Sequence, residues 1–466
     1  MQWTTDYKTI FSWVEDLYNL GIRRPATAPD LEAEEYIACR FREFGIEDVR
    51  KDPIPIMGWE SDEPTLGVMT PKGSVPIRAV SVAYSPFTGR EGSFFRMVPV
   101  GRGTEAEVKG RGDPSSLAVV ELDYGSFPFE WVKDLAYMYH DPDETLPEGY
   151  LHVATWLTSL EEEIFARCRK EGFGGLIFIH PFDLTPYICS PQSAPLEGRV
   201  GPLPLCVLPR SHGDRLLDLI RQGNDRCRLV ITGRTFSGVT HNVLGFLPGL
   251  SEEVILVSSH HDSMWEGATE DASGVAVVLA LAQYFAALPR KQRAKSLVFN
   301  IEAAEQLLVI GGTKLMEMHR EDIFDRLLVD VHIEHIARET LIEGSGFRLT
   351  DELQPRALFV SEVPSLRTAV ERMVTKHDLR RTAVLPTNTP LGVQTDAIRF
   401  VEQGYPVISF VSAPAYWNAR EDTLDKVPAE ELERVARAFA SLIQEDLFQL
   451  KGEEILGRTW NRDRLP

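Results

Sequence analysis

The sequence predicts an α/β fold: a mixed, largely parallel sheet flanked by helices, with a smaller β-rich unit inserted into it. Three observations carry that expectation. The apolar run Val254-Ile255-Leu256-Val257 ends in Ser259-His260-His261-Asp262-Ser263, and after a polar loop the helix-like run Val275 to Phe285 follows. This reads as a buried strand, a turn and a buried helix. From Thr240 onward strand-like and helix-like runs alternate, the pattern of an α/β sheet. Between about Gly92 and Ser237 the texture changes to short extended runs broken by Gly and Pro. The chain has 466 residues, room for about two or three domains. The expected division is 1–92, 93–238 as the insert, and 239–466.

Each element has its own signal. Tyr7 to Leu20 carries apolar residues at helical spacing, and Gly21 to Pro25 breaks it. Asp30 to Phe44 predicts a second amphipathic helix, with Asp30 as N-cap and Gly45 as stop. Ile46 to Ile56 predicts a strand. In the insert, Leu117 to Leu122 predicts a strand, Glu161 to Lys170 a helix, and Gly172 to Ile179 a tight turn into a buried strand. Pro202 to Val207 is extended, Arg215 to Arg221 a short helix, and Cys227 to Thr232 a strand. Leu297 to Gln306 and Leu327 to Ile336 predict strands that end in acidic, amide or imidazole residues. Pro386 to Pro390 is a stiff loop expected close to the site.

Composition narrows the class. Hydrophobic residues make up 43% and charged residues 25%, as in a globular protein. The net charge of −20 argues against nucleic acid or an anionic membrane as partner. No apolar run reaches the roughly 18 residues that span a bilayer. The N-terminus lacks a basic start followed by an apolar core, and the five cysteines have no paired short spacing. A reducing, cytoplasmic compartment is the expectation.

The chemistry concentrates where the strand ends. Open α/β sheets place their sites at the carboxyl ends of strands. In His260-x-Asp262 the carboxylate can orient an imidazole that binds metal; the bland alternative is a polar loop after a strand. Together with Gly267-Ala268-Thr269-Glu270-Asp271-Ala272-Ser273-Gly274, the block resembles the signature of the co-catalytic zinc aminopeptidases. That superfamily includes bacterial leucyl aminopeptidase, glutamate carboxypeptidase, transferrin receptor and glutaminyl cyclase. Thr240 to Gly249 also resembles its strand and turn, and the insert resembles its protease-associated domain.

The resemblance implies roles. His260 matches the first metal ligand, Glu270 the bridging carboxylate and Glu334 the strand carboxylate. Glu305, in Ala303-Ala304-Glu305-Gln306, matches the general base, and Asp262 is its catalytic companion through the imidazole. Gln306 falls where a second carboxylate ligand stands, and Asn418, in Tyr416-Trp417-Asn418, where the last His stands. An amide oxygen is a weak zinc ligand. One half of a two-metal site is therefore intact and the other substituted. Gln306, Asn418 and Trp417 become candidates for substrate contact. Trp265 and Trp417 are either loop packing or an aromatic wall. His261, His332 and His335 are either hydrogen-bonded strand-end residues or added ligands, and a His/His/carboxylate set would suit iron(II).

The implied function is a hydrolase of an amide or peptide-like bond in a small substrate. It would use one divalent metal, with zinc foremost and manganese or iron as alternatives. Two other readings stand beside it: a metal-free binding protein, and non-hydrolytic metal chemistry on the same scaffold. The partner expected is a small or short peptide-like substrate, without nucleic acid or membrane, and self-association into a homo-oligomer is compatible with the sequence.

Overall fold

The computed structural model describes residues 3–153, 159–186, 188–390, 392–452 and 455. Its main sheet has nine strands. From edge to edge they are Asp48–Ser61, Gly233–Leu247, Ser296–Glu302, Val254–His260, Leu327–Ile333, Val407–Ser412, Arg356–Val360, Thr382–Pro386 and Met138–His140. The strands from Ser296–Glu302 through Val407–Ser412 are mutually parallel, and antiparallel partners flank them. Val254–His260 is buried along its whole length, which is why it reads as a continuous apolar run rather than an alternating one.

One core joins this sheet to the helices Tyr7–Asn19, Ala28–Glu43, Gly274–Ala287, Pro364–Lys376 and Ala429–Ser441. A second core packs Ile310–Met318 and Ile398–Glu402 with Leu244, Leu256 and Val407. Gly274–Ala287 is apolar almost all round and lies buried in the first core, as such a helix must. The second predicted helix starts two residues before Asp30, at Ala28. Pro29 is tolerated in its first turn, and the cap position falls to Thr27. Asp30 instead accepts the Ala26 amide at 2.7 Å and the Thr240 hydroxyl at 2.8 Å.

A second sheet of eight strands runs Gly73–Arg78, Thr65–Thr70, Arg226–Val230, Ser93–Pro99, Ser116–Glu121, Gly175–Ile179, Leu205–Leu208, Val80–Ser81. Residues 65–81 pair within it, so the boundary expected at 93 lies inside this sheet. Asp48–Ser61 and Gly233–Leu247 form one continuous antiparallel ribbon, and the chain enters and leaves the second sheet at its Ser61/Gly233 end. The insert also returns to the main sheet: Met138–His140 pairs with Thr382–Val384 at its edge. The helix expected from Arg215 runs from Arg210. Gly213 does not break it, because a side chain there would meet Ile179 at 2.1 Å and only glycine allows the close helix–strand approach.

Candidate metal centre

The sheet delivers His260 at the end of its strand, fully buried. Its Nδ1 meets the Asp262 carbonyl at 3.0 Å, so Nε2 faces the site. The Asp262 carboxylate accepts the Glu305 amide at 2.9 Å and the Gln306 amide at 3.2 Å. One short residue thus orients the imidazole and pins the loop that carries Glu305. Buried Arg23 fastens the other side of the loop, donating to the carbonyls of His261 at 2.8 Å, Glu266 at 2.6 Å and Gly267 at 3.1 Å. Asp422 accepts the Thr269 amide at 3.0 Å and the Glu270 amide at 2.9 Å, which fixes the segment bearing Glu270.

Glu270 sits between imidazoles. Its Oε1 lies 3.2 Å from His260 Nε2, and its Oε2 pairs with His335 Nε2. The Gln306 amide donates to Glu270 Oε1 and to Glu305 Oε2. Burial alone would raise the Glu270 pKa, but His335 and His260 hold it well below the usual carboxylate range. Burial would lower the His335 pKa, yet Glu270 and Asp271 lift it to about 10. Glu334 gives Oε1 to the Thr395 hydroxyl at 2.7 Å, and burial with Asp396 nearby pushes its pKa up to about 8. Glu305 is raised well above the ordinary value by burial and by Asp396.

The fold therefore brings His260, Glu270, Glu305, Gln306 and Glu334 together, with Asp262 behind them. It adds residues that the motif match had not assigned. Asp396 Oδ2 lies 3.6 Å from His260 Nε2. The sets His260–Glu305–Asp396 and His332–Glu334–Asp396 each place three ligand atoms within 4.8 Å of one another. Asp396 follows Thr395, whose hydroxyl donates to Glu334. His335 reaches Glu270, whereas His261 turns away to Asp30, 3.0 Å from its Nδ1. Asp271 lies close to His260 and His335, but its oxygens are taken by the Ser259 hydroxyl and the Gly274 and His335 amides.

Whether these residues suit a metal can be tested on their unmet polar atoms. His260 Nε2, His332 Nε2 and Asp396 Oδ2 are buried without a hydrogen bond among the described residues, while Glu270 Oε2 and His335 Nε2 meet only each other, as an ion pair. Such atoms are costly to bury unmet. Metal–ligand bonds of roughly 2.0–2.2 Å put neighbouring ligands roughly 3–3.5 Å apart, and from His260 Nε2 Glu270 stands at 3.2 Å and Asp396 at 3.6 Å. Imidazoles and carboxylates at this spacing fit a divalent cation such as zinc.

The site opens on a cavity of about 490 Å³. Glu305, Gln306, Glu334, His335, Asp396, Trp417 and Asn418 line one end. Trp417 lies with its ring centroid 6.3 Å from that of His335. Trp265 is instead held between Arg24 and Arg420, at 5.8 and 4.3 Å, as loop packing. The cavity wall also includes Gly392 to Asp396, and the stiff loop 386–390 does not line it. No helix among the described residues is long and apolar enough to cross a membrane.

Comparison with known proteins agrees with the fold. Residues 242–443 match the model of Peptidase family M28. Among solved structures, a Peptidase M28 precursor from Shewanella amazonensis SB2B superposes with a TM-score of 0.70 at 17% identity, covering 93% of this chain and 92% of that one. BSAP, a zinc aminopeptidase from Bacillus subtilis, gives 0.69 at 16% identity, covering 98% and 99%. An aminopeptidase from Aneurinibacillus sp. strain AM-1 gives 0.64 at 20% identity, covering 95% and 94%. No curated protein matches the chain. Residues 242–443 are thus similar to Peptidase family M28, and the chain as a whole shares the fold of these solved structures.

Proposed function

We propose that the chain is a metal-dependent hydrolase of an amide or peptide-like bond in a small substrate, working with one tightly held divalent ion. Zinc is the first candidate, and manganese or iron would accept the same donors. One observation carries the reading: the two halves of the site differ in kind. On one side His260 Nε2 and Asp396 Oδ2 are unmet, Glu270 Oε1 lies 3.2 Å from His260 Nε2, and Glu334 stands beside Asp396. On the other side the Gln306 amide and the His335 imidazole already neutralise Glu270. Held by His260, Glu270 and Glu334, with Asp396 beside them, the ion would polarise a carbonyl and acidify a water.

The chain's own groups do the rest. Glu305 lies 3.9 Å from His260 Nε2 on a loop anchored by Asp262. It takes a proton from the attacking water and returns it to the leaving nitrogen. Its raised pKa favours the return step. Asn418 presents an unpartnered Oδ1 at the cavity, and Trp417 a flat wall, so both serve substrate. The substitutions at Gln306 and Asn418 also remove the usual partner of a free α-amine, so a specialised substrate fits better than a broad aminopeptidase's. The inserted unit, read as protease-associated-like, covers the site, and the acidic surface leaves nucleic acid and anionic membranes outside the scheme.

The experiment pairs metal content with activity: Glu305→Gln should keep the metal and lose turnover of an amide substrate. One observation favours a second reading. With two imidazoles against it, Glu270 is charge-balanced without an ion. A protein that takes up no metal under metal-replete conditions would be a binding protein on a peptidase scaffold.

A further inference from the structure

The cavity has a second polar end, built by the insert. Glu161, in the first turn of the helix Ser159–Lys170, is 3% exposed and faces the cavity. Its Oε1 accepts the Tyr124 hydroxyl at 2.7 Å, and its Oε2 is buried without a hydrogen-bond partner among the described residues. Tyr124 packs against His180 with ring centroids 5.6 Å apart, and both line the same space. The rest of the wall is mostly apolar, with Phe129, Leu184, Ile188, Phe359 and Val411, and the two arginines on it, Arg356 and Arg399, are paired with Glu431 and Glu402.

A buried carboxylate normally has a cationic partner. Burial pushes the Glu161 carboxyl up to about 7, the Tyr124 hydrogen bond opposes this, and the charge that acts on it among the described residues is Glu162, of like sign. A hydrogen bond from Glu161's own backbone amide also favours the ionised form. Both imidazoles that line this end are held neutral: burial lowers the pKa of His152 and of His180 to about 4. The pocket thus offers an open anionic oxygen at the end of an apolar channel that leads from the hydrolytic centre.

We propose that Glu161 forms a specificity subsite for an organic cation, an ammonium or guanidinium carried on an apolar stem, as in a lysine- or arginine-like side chain. The stem lies along the apolar wall, the cation donates to Glu161 Oε2, and Tyr124 holds the other oxygen in place. This rests on the reading of the cavity as the substrate site. It gives the insert a direct part in choosing the substrate.

The test is calorimetric binding to the full chain at pH 8. The probes are Nα-acetylarginine amide and its neutral isostere Nα-acetylcitrulline amide, with citrulline amide to detect a cation supplied by the α-amine instead. A charge-assisted hydrogen bond predicts that the arginine probe binds about tenfold or more tighter than its isostere. Glu161→Gln should bring the two within about twofold and leave the neutral probe unchanged. If that variant does not fold, Glu161→Asp, which draws the carboxylate back by one methylene, should weaken the preference. Glu161-dependent binding of citrulline amide would assign the cation to the α-amine and keep the subsite. Equal binding of the two acetylated probes by the wild-type chain, or a preference that survives both substitutions, would overturn it. Hydrolysis is read separately at Glu305, so a chain that binds the cation but cleaves nothing would defeat the proposed function and not the subsite.

Discussion

Gln306 donates one side-chain amide to two carboxylates, Glu270 and Glu305. In the proposed reading this neutral donor stands where the resemblance implies a charged ligand. The amide and His335 together balance Glu270 without a second cation. Giving back the ligands should therefore restore the second ion. The double variant Gln306→Glu with Asn418→His should bind one more zinc per chain than the wild-type protein, read by elemental analysis after gel filtration. Unchanged stoichiometry would mean that His335 or the loop geometry, and not the two substitutions, closes that half.

Glu305→Gln keeps shape and removes the base. Turnover should fall by ~10²–10⁴-fold with metal content and melting temperature unchanged. His260→Ala should lose metal first and activity with it. Full activity in Glu305→Gln would assign Glu305 to structure or ligation.

His335 is the residue whose role differs most from that of a structural strand-end histidine. Its imidazole pairs with buried Glu270. Removing one partner of a buried pair costs roughly 3–5 kcal/mol when nothing replaces it. His260 and Gln306 remain on Glu270, so the low end applies, and His335→Ala should lower metal-free stability by about 3 kcal/mol in urea denaturation. Added zinc should recover part of this. A change below about 0.5 kcal/mol, typical of a neutral surface position, would contradict the pairing.

Glu161 gives a pH signature independent of metal. Its folded pKa is raised to about 7 from the ordinary 4.5, because burial favours the neutral acid. The folded state holds this proton more tightly than the unfolded one, so its contribution is full below about pH 4.5 and is lost as the pH rises through 7. Glu161→Gln should then stabilise the chain by about 3 kcal/mol at pH 8 and by under about 1 kcal/mol at pH 5. A gain that does not change with pH would show that the carboxyl is not held neutral by burial.

Much of the main unit was legible because its signals are local. The strand Val254–His260 is one apolar run, and the helix after it is apolar on all sides, so burial on every face wrote both into the sequence. His260, Glu270, Glu305 and Glu334 each sit in a short motif, and the fold brings them together. Asp396 was harder to assign: it reaches His260 only through a loop between distant strands, and nothing in its neighbours' spacing announces that contact. His335 depends on a backbone turn with φ of 44° that aims its ring at Glu270. The insert's start was missed because Thr65–Thr70 and Gly73–Arg78 look like a continuation of the preceding strand. Their allegiance is decided by the pairing of Thr65–Thr70 with the distant Arg226–Val230, and Gly73–Arg78 joins the sheet through Thr65–Thr70.

The central claim is that one half of the centre holds an ion and the other half is occupied by protein. The most direct measurement is metal content of the chain purified without chelator, then dialysed against limiting zinc and counted by mass spectrometry. The account predicts about one tightly held divalent ion per chain, lost in His260→Ala and kept in Glu305→Gln. Two ions at near-full occupancy, with Gln306 and Asn418 both coordinating in a crystal structure, would contradict it.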